Sequence, residues 1–355
     1  MTSRDALLQS IITPGPTNPF AVSYLQLCQV SYLLPMTQIP AAVTALPPLN
    51  PGGSWRCAWG PATNSDESNL AFVATYHYGP GLPVFAAVVV RGTDFYVDDG
   101  WGIVEQIWED LDVPNQVPLP WAVANPARIA NGTLDGLTDI QQMTSGGQSM
   151  LSYLAGYLGS PANNKPVLIV TGHSLGGCLT TVVAPWLKFS LAQNSVNVPI
   201  VPCSFAAPTA GDAAFAAYFN STFSYSLRYY NTLDVVPFGW ANLPGVDSIY
   251  DNYGLTIPDS VYLAVGGFEL MMRVAQVTYT QPVPSSPLPG VFLIGQTWTG
   301  ELAHQHHTTT YMQLLGGISV TAGATATGHS VRTQKHSLRD RFGPINTLLA
   351  KVHVD

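Results

Sequence analysis

The stretch Pro166-Val-Leu-Ile-Val-Thr-Gly-His-Ser-Leu-Gly-Gly177 decides the fold. Val167 to Val170 is a short, uninterrupted apolar run, which predicts a strand buried on both faces. Gly172, Ser174 and Gly176 then spell G-x-S-x-G, and Leu175 to Leu191 continues with helical patterning. Strand, motif and helix in that order predict a nucleophile elbow, a turn so sharp that the serine backbone is strained. A Cβ at position 172 or 176 would crowd such a turn. The elbow lifts the Ser174 hydroxyl clear of the sheet, where the first N–H groups of the helix also point. Ser174 is therefore the candidate nucleophile. Pro185 lies inside the helix and predicts a kink or an early stop there.

Outward from the elbow, further strands are expected at Leu70–Tyr78, Val84–Val90, Val201–Phe205 and Tyr225–Tyr230. Helices are expected at Phe20–Leu34, Gly146–Leu158 (capped by Ser145), Asp212–Phe219 and Ser260–Val277, with another starting at Glu301. Ile39–Gly53 and Gln281–Gly290 are proline-rich and predict loops. The strand at Val84–Val90 runs into Arg91-Gly92-Thr93-Asp94. A small residue followed by a hydroxyl residue at a strand end suits a backbone N–H offered to an oxyanion, and equally suits a plain turn. Alternating strands and helices over 355 residues predict an α/β protein with a mostly parallel sheet.

Charged residues make up only 10% of the chain and hydrophobic ones 46%, enough for a large core. Residues 1–320 carry a net charge of −11 and residues 321–355 a net of +3. A nucleic-acid partner for the body is not expected on charge, since phosphate binding needs a basic face. The run Thr321-Ala-Gly-Ala-Thr-Ala-Thr-Gly predicts a linker carrying a peripheral basic tail. The two expected units are 1–320 and 321–355.

The four cysteines have no metal-ligand spacing; the pattern leaves a Cys28–Cys57 bridge open and makes Cys178 and Cys203 core residues. No apolar run approaches ~18 residues, so no membrane-spanning helix is expected. The N-terminus lacks a signal peptide's apolar stretch, so a protein retained inside the cell, or one whose leader has been removed, is expected. The carboxylates between Asp94 and Asp112 could bind calcium but lack calcium-loop spacing, so a solvated acidic face is expected.

A serine hydroxyl needs a general base oriented by a carboxylate. Asp212, Asp234, Asp247, Asp251, Asp259 and Glu269 lie between Ser174 and the cluster His304, His306, His307. Asp234 is preferred because it follows a predicted strand on the edge where Ser174 emerges, whereas Asp212 is placed as a helix cap. Any histidine of the cluster could be the base. His77, His173 and the tail histidines are set aside, with His173 expected to pack beneath the serine.

Taken together, Val88-Val-Val-Arg-Gly-Thr93, Gly172-His-Ser-Leu-Gly-Gly177, Phe205-Ala-Ala-Pro-Thr-Ala-Gly-Asp212, Arg228-Tyr-Tyr-Asn-Thr-Leu-Asp-Val-Val-Pro237 and a late histidine resemble the class 3 (fungal-type) triacylglycerol lipases. The resemblance covers roughly residues 20–318. It implies an α/β-hydrolase fold and a triad of Ser174, Asp234 and a late histidine, with Thr93 and Leu175 as oxyanion donors. His307 fits best, because Tyr311 follows a few residues later, as in the family. Trp108-Glu-Asp-Leu111 looks like the family's Trp–Asp–Leu segment. Asn131-Gly-Thr133 replaces the usual His-x-Gly-Phe start, and Phe238–Gly300 is long for the family.

The resemblance also bears on Gly100–Leu111, where Trp101, Val104, Trp108 and Leu111 fall at i, i+3, i+7 and i+10. Periodicity alone fits a core helix; the position after Thr93 favours a lid. The implied activity is hydrolysis of lipid esters at a lipid–water interface, with no metal or organic cofactor needed. The alternatives are an esterase for soluble or polymeric esters and, in another class, a non-catalytic lipid-binding protein on the same fold.

Overall fold

Strands that are apolar at every position must find cover on both sides, and this requirement shapes the molecule. The computed structural model describes residues 10–11, 18–49, 51–65, 67–77, 83–92, 112–122, 126–163 and 166–319. Its central sheet is formed by β1 (Ser54–Thr63), β2 (Leu70–His77), β3 (Pro83–Val90), β4 (Val167–His173), β5 (Ile200–Phe205), β6 (Leu227–Asn231) and β7 (Ser286–Leu288), in that spatial order. The pairs β1–β2 and β2–β3 are antiparallel, and every pair from β3 to β7 is parallel.

Side chains alternate across this sheet. In β4, Leu168 and Val170 join one hydrophobic cluster, and Val167 and Ile169 join the other. The first cluster is covered by α2 (Asn131–Gln142), α3 (Met150–Gly159) and α4 (Leu175–Gln193) through Leu137, Ile140, Leu154, Leu179 and Val182. The second is covered by α1 (Pro19–Ser31) through Tyr24, Leu25 and Cys28. Burying each such side chain is worth about 1.5–3 kcal/mol, so both layers are needed.

The helix after the elbow does not stop at Pro185; α4 runs on to Gln193. A mid-helix proline costs ~3 kcal/mol, and burial of Val182, Val183, Trp186, Leu187 and Leu191 offsets it. This helix is long and apolar enough to cross a membrane by composition, but most of it is buried inside the protein.

Other expectations are also corrected. The stretch after Gln38 holds a short helix, Ile39–Thr44, because Pro40 occupies the first turn, where a missing N–H costs nothing. Ser149, not Ser145, caps α3, accepting from Ser152 N. Gln281–Gly290 is not all loop, since Ser286–Leu288 adds the last parallel strand. Cys28 and Cys57 are both free thiols. Asp212 does cap the next helix, α5 (Ala213–Thr222), accepting from Phe215 N at 2.7 Å, and the helix expected at Ser260–Val277 forms as α6 (Asp259–Ala275). Thr93, the lid candidates Trp101, Val104, Trp108 and Leu111, and the tail 321–355 lie outside the described residues.

Candidate active site

At the end of β4 the chain turns into α4 through Ser174, whose φ of 61° and ψ of −130° lie in a region costly for any residue with a Cβ. Close packing of backbone on backbone enforces the turn. A Cβ on Gly172 would sit 2.2 Å from the Gly176 carbonyl oxygen, and one on Gly176 would sit 2.2 Å from the Val90 oxygen. Ser174 N donates to the Phe205 carbonyl at 3.0 Å, which fastens the elbow to β5. Leu175 opens the helix at this point, and its N–H belongs to the first turn, which has no intrahelical acceptors.

Beyond β6 the chain tightens into a turn in which Asp234 N donates to the Asn231 carbonyl at 3.0 Å. Asp234 is fully buried, and three donors converge on its carboxylate. Val236 N reaches Oδ1 at 3.0 Å, while the Tyr311 hydroxyl at 2.7 Å and the His306 ring at 2.9 Å reach Oδ2. Burial first, then the nearby Asp234 carboxylate, pushes the Tyr311 phenol well above its usual range, so it stays a donor.

His306, not His307, stands between the acid and the nucleophile. Its Nδ1 is 2.9 Å from Asp234 Oδ2 and its Nε2 is 2.9 Å from Ser174 Oγ. A carboxylate can only accept, so Nδ1 carries the proton and Nε2 faces the serine hydroxyl as acceptor. His307 is exposed and lies at the break between α7 (Trp298–His306) and α8 (Thr308–Leu314). There it caps α8, its Nδ1 accepting from Thr309 N at 3.1 Å.

One residue of helix is a rotation of about 100°, which explains why adjacent histidines have such different fates. Trp298, Glu301, Leu302, Gln305 and His306 are the buried positions of α7, spaced i, i+3, i+4, i+7, i+8. That spacing, begun from Trp298 and Leu302, was the signal that places His306 inward and His304 and His307 off the face.

His173 lies under this arrangement, with its ring centroid 4.8 Å from that of His306. Its Nε2 contacts the His306 carbonyl at 2.9 Å and must be the donor there. Its Nδ1 is then left to accept from the Tyr32 hydroxyl at 3.3 Å. Burial, and secondarily the adjacent His306, holds His173 well below the usual imidazole range, so this ring is neutral. The polar residues that spacing did not single out are Asn231, Glu301 and Gln305, all fully buried beside the triad.

With Ser174, His306 and Asp234 joined in one hydrogen-bonded line, the site has a nucleophile, a base and an orienting acid. Residues 103–242 match the family model "Lipase (class 3)". Among solved structures, M37 lipase superposes with a TM-score of 0.67 at 25% identity, covering 83% of this chain and 92% of that one. A Rhizomucor miehei lipase propeptide complex covers 61% of this chain and 60% of its own at 21% identity, with a TM-score of 0.44 too low to carry weight. A lipase of Caenorhabditis elegans, ZK262.3, is 36% identical over 76 residues, which is 21% of this chain and 20% of that protein. The chain thus spans only about a fifth of that curated relative. The elbow, the strand order and the superposition on M37 lipase give this chain the α/β-hydrolase fold, and its residues 103–242 are similar to the class 3 lipases.

Proposed function

We propose that this protein hydrolyses carboxylic esters of acyl lipids through an acyl-serine intermediate. The observation that carries the reading is the continuous line from Asp234 through His306 to Ser174, with both contacts at 2.9 Å. His306 takes the Ser174 proton as the hydroxyl attacks the ester carbonyl and gives it to the departing alcohol. Water then enters by the same route in reverse, and the acid leaves. Asp234 fixes the imidazole tautomer and faces the positive ring that forms. The backbone N–H groups of Leu175 and Thr93 are the proposed oxyanion donors, each worth about 10²–10³ in rate.

Ser174 is fully buried, so an ester reaches it only after an opening motion. We assign that motion to Gly100–Leu111, with Trp101, Val104, Trp108 and Leu111 as the apolar face that would meet a lipid surface. The experiment is fluorophosphonate labelling with a chain-length series of p-nitrophenyl esters. Labelling of Ser174 and a preference for longer acyl chains support the reading. Labelling elsewhere, with activity kept in Ser174→Ala, overturns it, and a preference for short soluble esters moves the substrate class to the esterase alternative.

A further inference from the structure

Three uncharged or acidic side chains beside the triad are buried as completely as the core leucines, and an apolar trio would fill that space at less cost in desolvation. Asn231, Glu301 and Gln305 are each 0% exposed. Their polar atoms are satisfied in one direction. Glu301 Oε1 accepts from Gln305 Nε2 at 2.7 Å and from Leu293 N at 3.1 Å. Gln305 Nε2 also donates to the Val291 carbonyl at 2.8 Å. Gln305 Oε1 accepts from Asn231 Nδ2 at 2.5 Å, and the same Nδ2 donates to the Gln305 carbonyl at 2.9 Å. Asn231 Oδ1 then accepts from Leu233 N at 3.0 Å, one residue before Asp234.

Each amide has one donating and one accepting end, so a chain that begins on a carboxylate has a fixed polarity. The backbone groups it meets on the way agree with that polarity: two carbonyls receive donors, and the Leu233 N–H finds an acceptor. No member can flip without leaving a buried polar group unpaired, which costs about 1–3 kcal/mol for each such group. Gln305 is the residue before His306, and Asn231 starts the turn that presents Asp234. Asn231 N also donates to the Tyr311 hydroxyl at 2.9 Å, and that hydroxyl donates to Asp234.

We infer that Glu301, Gln305 and Asn231 form a positioning relay that locks the histidine-bearing helix to the aspartate-bearing turn and so sets the His306–Asp234 contact. Among the described residues, none of the three hydrogen-bonds to Ser174; their side chains bond to each other and to backbone groups. They act through His306 and Asp234, as the outer partners of a catalytic constellation do. The inference rests on the reading of Ser174, His306 and Asp234 as the triad.

The test uses the full chain with Asn231→Asp, Gln305→Glu and the double variant Glu301→Gln/Gln305→Glu. The first two keep side-chain shape but turn a donor into an acceptor at a buried contact. The double variant restores one pair with its polarity reversed. For each, kcat, KM, the pH profile of kcat/KM and the low-field NMR signal of the His306 Nδ1 proton are measured. The expected result for the single variants is a fall in kcat of about 10–10²-fold with KM within about twofold, following the ~10²-fold cost of a 1 Å misplacement. The acid limb of the profile departs from wild type, because the carboxylate that orients the imidazole is held differently. The low-field proton signal shifts or broadens, and the double variant recovers part of the kcat lost in Gln305→Glu.

Folded single variants with wild-type kcat, acid limb and proton signal would overturn the relay, even if their Tm fell. If Asn231→Asp does not fold, Gln305→Glu and its rescue decide alone. Wild-type protein that fails to label at Ser174 would instead sink the triad reading beneath it.

Discussion

Ser174 and the pair His306–Asp234 are held by two different kinds of force. Ser174 is placed by backbone sterics: glycines at 172 and 176 let β3, β4 and α4 approach within contact, and the strained φ of 61° follows. His306 and Asp234 are placed by side-chain hydrogen bonds on segments far apart in sequence, reached through Tyr311, Asn231 and Gln305. Sterics of the first kind are written into a local motif. Hydrogen bonding of the second kind depends on partners that no local motif names.

The contrast is tested most sharply at the two adjacent histidines. His306→Ala is expected to lower kcat by ~10⁴, in the range typical of triad members, while the fold stays intact. His307→Ala removes only an exposed helix cap and is expected to cost about 0.5–2 kcal/mol of stability with activity retained. Equal losses in both variants, measured by steady-state kinetics on a p-nitrophenyl ester, would remove the distinction drawn above.

On the elbow side, Gly176→Ala sets a Cβ 2.2 Å from the Val90 carbonyl oxygen and 2.8 Å from the Arg91 carbonyl carbon. Neither atom can give way without moving the strand, so Ser174 must shift. A loss of about 10² in kcat is expected, the scale for a 1 Å misplacement. Undiminished fluorophosphonate labelling in this variant would show that the elbow tolerates what its geometry forbids. On the hydrogen-bonded side, Tyr311→Phe deletes one of the three donors to Asp234 and the acceptor of Asn231 N. The expected loss is about tenfold in kcat with a fall in stability of about 1–3 kcal/mol, read by urea unfolding. A variant as active and as stable as wild type would make the phenol a bystander.

The same contrast explains what the sequence disclosed. β2 to β5, buried along almost all of their described side chains, stood out as apolar runs and β6 by its alternation, and the fold class followed from them. β1 did not, because bulges between Cys57 and Trp59 and between Trp59 and Ala62 break its period. Trp55 and Trp59 would share a face in a regular strand, yet they belong to opposite clusters. β7 was hidden by its brevity and by Pro287, which a sheet edge tolerates. At the site, Ser174 and Asp234 were legible from motif and strand end. The histidine is less legible: spacing to Tyr311 points to His307, whereas the inward face that starts at Trp298 carries His306. The relay of Glu301, Gln305 and Asn231 was invisible, since only the folded chain brings 231 beside 305.

The smallest effect expected concerns His173, which belongs to both regions: it sits within the elbow and supports the His306 backbone through its Nε2. Burial and the neighbouring His306 lower its folded-state affinity for protons well below the ordinary value of 6.5. A folded state that disfavours the charged ring keeps its full stability above the unfolded value. Below about pH 6.5 the unfolded chain binds a proton that the folded one does not, so stability falls as pH drops, by at most ~1.4 kcal/mol per pH unit for one such group. His77 and His307 are lowered as well, so the wild-type slope alone is not diagnostic. His173→Gln retains an amide N–H for the His306 carbonyl but has no group that titrates in this range. Urea unfolding at pH 5, 6 and 7 should show a wild-type slope steeper than the variant's by up to one proton. Parallel lines for the two proteins would mean that His173 is protonated in the folded state, and the tautomer assigned to it, with Nδ1 accepting from Tyr32, would be wrong.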